Sequence, residues 1–116
     1  MRKILPAAIF LTLSAHAWAH AFLDHATPAV GATVTAPAEV AIWFTEQPEP
    51  AFSAIEVTDA AGNRVDDGAT HQDRANPRVL RVAVKKLPPG TYKVTWRVVS
   101  VDTHSTSGDY SFTVAP

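Results

Sequence analysis

The sequence predicts an all-β domain, a two-sheet antiparallel sandwich, on three observations. Apolar and polar residues alternate in short runs, turn formers separate those runs, and no stretch keeps a helical period of useful length. Val40, Ile42 and Phe44 alternate with Ala41, Trp43 and Thr45, and Val82 and Val84 alternate with Arg81 and Ala83. Tyr92, Val94, Trp96 and Val98 form the longest alternation, facing away from Lys93, Thr95 and Arg97, and Tyr110, Phe112 and Val114 make a last strand. Each pattern buries one face, because successive side chains of a strand point to opposite sides of the sheet. Between the runs lie Pro28 to Gly31, Pro37, Pro48 to Pro50, Ala61-Gly62-Asn63, Pro77 and Pro88-Pro89-Gly90. This spacing fits about seven strands. The stretch from Asp66 to Pro77 reads as a long polar loop, and Tyr92 and Trp96 read as core. Trp43 falls on the outer face and takes no role, since single exposed apolar side chains are ordinary. Arg97 is expected to pair with an acid.

With 116 residues, 10 basic against 11 acidic side chains and no cysteine, the chain allows one small domain and excludes a disulfide framework or a thiolate metal site. The near-neutral balance argues against a nucleic-acid binder, which needs a basic stripe for phosphates. A content of 47% apolar residues describes a folded chain rather than a disordered one.

Arg2 and Lys3, the apolar run from Ile4 to Leu13 and the small residues after it have the layout of a secretory signal peptide. The run is too short to span a bilayer, so no stable membrane insertion is expected once the peptide is removed. Cleavage is ambiguous from local pattern, because Ala15-His16-Ala17, Ala17-Trp18-Ala19 and Ala19-His20-Ala21 all have the small-x-small form. A cut before His20 removes 19 of 116 residues, Arg2 and Lys3 among them, and leaves 97 residues with 8 basic and 11 acidic side chains, a formal charge of −3. That product has neither Cys nor Met, so it lacks every soft sulfur ligand that selects Cu(I).

Chemistry has to be sought in histidines. His104 follows the apolar strand ending at Val99, within Ser100-Val101-Asp102-Thr103-His104-Ser105. If strand geometry continues, Asp102 and His104 point to the same side. Such a pair holds two ligands of one metal, or an Asp that orients a His, or simply a capped turn with a solvated His. A histidine at the mature N-terminus adds two donors, its amine and its ring. With His104 that makes three nitrogens, and Asp102 supplies a fourth or axial oxygen, a set that favours Cu(II).

These residues resemble the CopC-type periplasmic copper-binding proteins over nearly the whole mature chain. The likeness is carried by His20-Ala21-x-Leu23, Thr27-Pro28-Ala29-x-Gly31-Ala32 and Ile42-x-Phe44-Thr45-Glu46. It continues in Leu87-x-x-Gly90-Thr91-Tyr92-x-Val94-x-Trp96-Arg97-Val98-Val99-Ser100-x-Asp102-x-His104, Ser107-Gly108 and Phe112-Thr113-Val114. The resemblance implies an immunoglobulin-like Greek-key sandwich over residues 20–116, a signal peptide over 1–19, and export to the periplasm. It also implies one Cu(II) per chain, held by His20, Asp102 and His104, with Glu46 beside the copper to orient a bound water or the amine. Without methionines, no Cu(I) site is expected. His71, in roughly the position of a methionine-rich loop found in some members, is expected to be exposed and inert. His25 is expected to be a surface or hydrogen-bonded residue.

Two functions follow. In the first, the protein is no enzyme but a monomeric carrier or buffer that sequesters Cu(II) for copper resistance or homeostasis. Its partner is then a membrane copper transporter of the CopD type or another periplasmic copper protein. In the second it is an oxidative copper enzyme of the histidine-brace kind. An available Asp102 ligand favours the first, because it guards a position that a substrate would need. A plain adhesion-like sandwich without metal is the bland alternative.

Overall fold

The computed structural model describes residues 21–116. The expected signal peptide and His20 lie outside the described residues. Eight strands form two four-stranded sheets: β1 (Leu23–Thr27), β2 (Thr33–Val34), β3 (Glu39–Phe44), β4 (Ala54–Thr58), β5 (His71–Gln72), β6 (Val79–Ala83), β7 (Gly90–Val99) and β8 (Ser105–Val114). One sheet has the order β1-β3-β6-β5 and the other β2-β8-β7-β4. Every connection except β5–β6 and β7–β8 thus crosses between sheets, in the manner of immunoglobulin-like sandwiches.

The alternating runs become strands because each can bury one face against the other sheet. Val40, Ile42 and Phe44 of β3 and Leu80 and Val82 of β6 meet Ile55 and Val57 of β4, Tyr92, Val94, Trp96 and Val98 of β7, and Tyr110, Phe112 and Val114 of β8. Phe44 meets Trp96 edge to face with ring centroids 5.4 Å apart, and Tyr92 stacks on Phe112 at 5.6 Å. The Tyr92 hydroxyl donates to the Pro88 carbonyl at 2.5 Å, closing a tyrosine corner at the start of β7. The Tyr110 hydroxyl donates to Pro28 at 3.0 Å, and burial pushes its pKa up.

Four details differ from expectation. There are eight strands rather than about seven, and the two-residue β2 pairs parallel with β8, so the sandwich is not wholly antiparallel. Short strands of this kind carry too few residues for an alternation to register in the sequence. Ala41, on the outer face, is fully buried, because its small methyl lies in register between Thr27 and Arg81. Arg97 makes no ion pair among the described residues; its neighbours in register are Ala54 and Ser107.

The fourth correction concerns the Asp66 to Pro77 stretch, which holds β5 and has a structural task. β4 pairs with β7 on one side only, leaving amides on its other edge that would otherwise template association. Thr70 Oγ1 accepts the Ile55 amide at 3.0 Å and Asp66 Oδ1 accepts the Val57 amide at 2.8 Å. The Asp66 side chain is fully buried and also accepts from Arg64 Nε at 3.0 Å and the Gly68 amide at 3.0 Å. Burial alone would raise its pKa, but these hydrogen bonds outweigh it and hold the carboxyl below the ordinary value.

Gly108 stands opposite Trp96 in the β7–β8 ladder, and a Cβ built there falls 2.6 Å from Trp96 Cζ2. The indole lies over the glycine, so the backbone at 108 doubles as part of the core wall. Gly108→Ala is expected to destabilise the fold by roughly 1–3 kcal/mol through overpacking, read as a lower urea midpoint at unchanged slope.

Candidate metal centre

The β7–β8 ladder runs unbroken from Gly90↔Val114 to Val99↔Ser105, and its turn carries the candidate ligands. The Ser100 amide donates to the His104 carbonyl at 2.9 Å and the Thr103 amide to the Ser100 carbonyl at 2.8 Å. Thr103 takes φ 76°, a left-handed conformation that a β-branched residue rarely adopts. The strand ends at Val99, so Asp102 and His104 do not meet through strand periodicity as the sequence suggested. The turn brings them together instead: His104 Nδ1 lies 3.3 Å from Asp102 Oδ1, and the His104 amide donates to the same oxygen at 3.4 Å. Both side chains are partly exposed at the end of the sandwich.

Ser100 organises this turn and is itself buried. Its hydroxyl donates to Asp102 Oδ1 and lies 3.3 Å from the His104 carbonyl. The Ser100 hydrogen bond is the main reason that the Asp102 carboxyl stays below its usual pKa; desolvation opposes it, and the His104 amide and ring add to the lowering. Asp102 is therefore an anion throughout the neutral and mildly acidic range.

The first described residues come to the same end. Ala21 is fully buried and its carbonyl accepts the hydroxyl of Thr106, the second residue of β8 and two after His104. The Phe22 amide donates to Thr45 Oγ1 at 2.9 Å, and the Thr45 amide returns a bond to the Phe22 carbonyl at 2.8 Å. Glu46, half-buried, follows Thr45 and precedes Gln47, whose carbonyl accepts the Val101 amide at 3.1 Å. It thus sits on the stretch that joins the entering chain to the Asp102 turn.

The other histidines are elsewhere. His25 is exposed and hydrogen-bonded as expected, with Nδ1 2.8 Å from Asp24 Oδ2, and a bulge between Leu23 and His25 sets its face. Its ring stacks on Trp43 at 4.5 Å, while the Arg81 guanidinium lies 5.8 Å from the same indole. Trp43 is therefore no isolated surface residue but the centre of a stack. Arg81 is pinned there by Glu39 at 2.5 Å and Asp73 at 2.7 Å. His71 is exposed on β5, at the far edge of the other sheet, with Nδ1 3.1 Å from the Ala69 carbonyl.

Among the described residues, no group of three or more His, Cys, Asp or Glu side chains surrounds a common point. At this turn Asp102 and His104 supply one carboxylate and one imidazole.

The family described as CopC domain matches residues 23–115. The chain belongs to the CopC family. It is 39% identical over 107 residues to copper resistance protein C of Xanthomonas campestris pv. juglandis, covering 87% of this chain and 84% of that one. The structure of CopC from Methylosinus trichosporium OB3b superposes with a TM-score of 0.78 at 37% identity, over 84% of this chain and 95% of that one. Copper transport protein CutJ of Bacillus subtilis is 35% identical over 99 residues, which is 84% of this chain but 18% of that longer protein. The matched CopC span contains Glu46, Asp102 and His104 and begins after His20.

Sequence reasoning passed over Ser100, Thr45 and Thr106. Ser100 had a local signal, a hydroxyl two residues before the carboxylate it bonds. Thr106 had none, because its partner Ala21 is 85 residues away.

Ser100→Ala removes the main hydrogen bond on the Asp102 carboxylate. By NMR titration the Asp102 pKa is expected to rise toward the reference near 3.9. The folded-state pKa of Asp102 is depressed, so its stabilising contribution is present above that reference and lost as pH falls through the folded value. Ser100→Ala should therefore reduce the acid dependence of stability below about pH 4, and an unmoved Asp102 titration would contradict the assignment.

Proposed function

We propose that the protein is an exported, periplasmic Cu(II)-binding protein that sequesters or carries copper for resistance or homeostasis and passes it to a partner. Copper is its cargo, one Cu(II) per chain. The ligands are the α-amine and imidazole of His20, freed by cleavage after Ala19, with the imidazole of His104 and the carboxylate of Asp102. Glu46 stands beside them to accept a hydrogen bond from the amine or a bound water.

The observation that carries this reading is the tie between Ala21 and Thr106. Ala21, the residue that follows His20 in the sequence, is bonded to Thr106 two residues after His104, which supports His20 as a ligand alongside His104. Three nitrogens and an oxygen match the preference of Cu(II) for tetragonal N,O sites. The relatives named for copper resistance and copper transport support the same cargo.

A carrier fits better than an enzyme. An anionic Asp102 fills or guards a coordination position that an oxidative enzyme must leave open. The partner is a membrane copper transporter of the CopD type, or another periplasmic copper protein. A domain of this kind matching 18% of a longer copper transport protein supports the former. The protein acts as a monomer.

Cu(II) titration followed by electron paramagnetic resonance on the chain beginning at His20, and on one carrying a single extra residue before it, tests the reading. Equimolar tight binding with nitrogen hyperfine structure is expected only in the first. Equal binding by both would remove the amine from the site.

Acid should weaken binding. Copper displaces protons from the amine, with a reference pKa of about 7.7 to 8.0, and from imidazoles near 6.5, whereas Asp102 is already ionised. Competition titrations are expected to show affinity falling steeply from about pH 8 to pH 6; a flat profile would exclude the amine as a ligand.

A further inference from the structure

We propose that Thr45 and Thr106 are positioning residues for the copper ligands, a hydroxyl clamp that sets where His20 stands relative to Asp102 and His104. The inference rests on the Cu(II) reading above and goes beyond it by assigning the precision of the site to two side chains that never touch the metal.

The geometry is specific. Ladder pairing of β1 with β3 begins only at Leu23↔Phe44, so residues 21 and 22 lie beyond the sheet proper. There the chain is held from both sheets at once. From the β3 side, Thr45 accepts the Phe22 amide at 2.9 Å through its hydroxyl and donates its own amide to the Phe22 carbonyl at 2.8 Å. From β8, the Thr106 hydroxyl donates to the Ala21 carbonyl. Ala21, with no side chain beyond its methyl, is fully buried between them. An unclamped chain end would sample many positions, and each metal-binding event would have to order it again.

Threonine suits the task. Its branched Cβ restricts rotation about χ1, so the hydroxyl is aimed rather than free. Thr106 is also close in the chain to a candidate ligand: it is the second residue of β8, two after His104 at the end of the turn, and stands opposite Val98 in the ladder. The start of β8 thus holds the Ala21 tether next to the turn that presents His104. Thr45 in turn precedes Glu46, so the residue that fixes Phe22 also places the carboxylate expected beside the amine.

The test uses Thr106→Val, Thr45→Val and Thr106→Ser in the chain beginning at His20. Valine keeps the branched shape and removes the hydroxyl; serine restores the hydroxyl. Thr106→Val is expected to weaken Cu(II) binding about tenfold or more in competition titration, in the range of other residues that orient metal ligands. It is also expected to change the nitrogen hyperfine pattern. Thr106→Ser should recover most of the wild-type affinity and spectrum. In the metal-free protein, Thr45→Val should speed hydrogen exchange at the Phe22 amide, a readout independent of copper. Should Thr106→Val fail to fold, the Thr45→Val affinity and spectrum and the Thr106→Ser recovery decide the matter.

Wild-type protein that binds Cu(II) only with a free His20 amine, alongside valine variants of unchanged affinity and spectrum, would overturn the clamp and leave the copper reading standing. Wild-type protein that binds no Cu(II), or binds it equally with an extra residue before His20, would overturn the copper reading and the clamp with it.

Discussion

The ladder between β7 and β8 is the constraint on which the rest of the structure depends. Ten residues of each strand pair without a break, and the inward residues of both strands supply much of the core. Because the ladder is unbroken up to Val99↔Ser105, its turn has only the five residues from Ser100 to His104 in which to reverse. That compression puts Thr103 in a left-handed conformation and folds Asp102 back toward His104. The site is thus a by-product of a rigid hairpin, which is what a metal-holding turn requires: little freedom remains to be lost on binding.

A second constraint acts across the sandwich. The first strand joins β3 in one sheet, while the Asp102 turn belongs to the other. At the end of the sandwich the two sheets offer groups to the same few residues. There the backbone of residues 21 and 22 spans them through Thr45 and Thr106, and Val101 reaches Gln47. These bonds are few, yet they join the segments that carry every proposed ligand and Glu46. The opposite arrangement holds at the β4 edge, where Asp66 and Thr70 close off amides and so spend polar groups on solubility rather than on a site.

The strands with one buried face were legible because period-two alternation is a direct record of burial. β3, β6, β7 and the second half of β8 show it, and all four lie in the interior of their sheets. β2 and β5 were not legible, since two residues carry no period, and the first half of β8 is polar on both faces. His25 and Trp43 were placed correctly on the outer side, but their stack depends on a bulge in β1 that no residue pattern announces.

The sequence by itself determined the donor chemistry. It held no sulfur beyond Met1, four histidines after residue 19, and a carboxylate two positions before His104, and those identities limit the metal to one bound by nitrogen and oxygen. It likewise determined which faces are buried, because alternation is local. Tertiary structure alone decided that Asp102 meets His104 through a turn, that Ser100 lowers the pKa of that carboxyl, and that Ala21 is tied to β8. The physical reason is range: hydrogen bonds such as that from Thr106 to Ala21 join residues 85 positions apart, and no local pattern encodes a partner that only the packing of two sheets brings near.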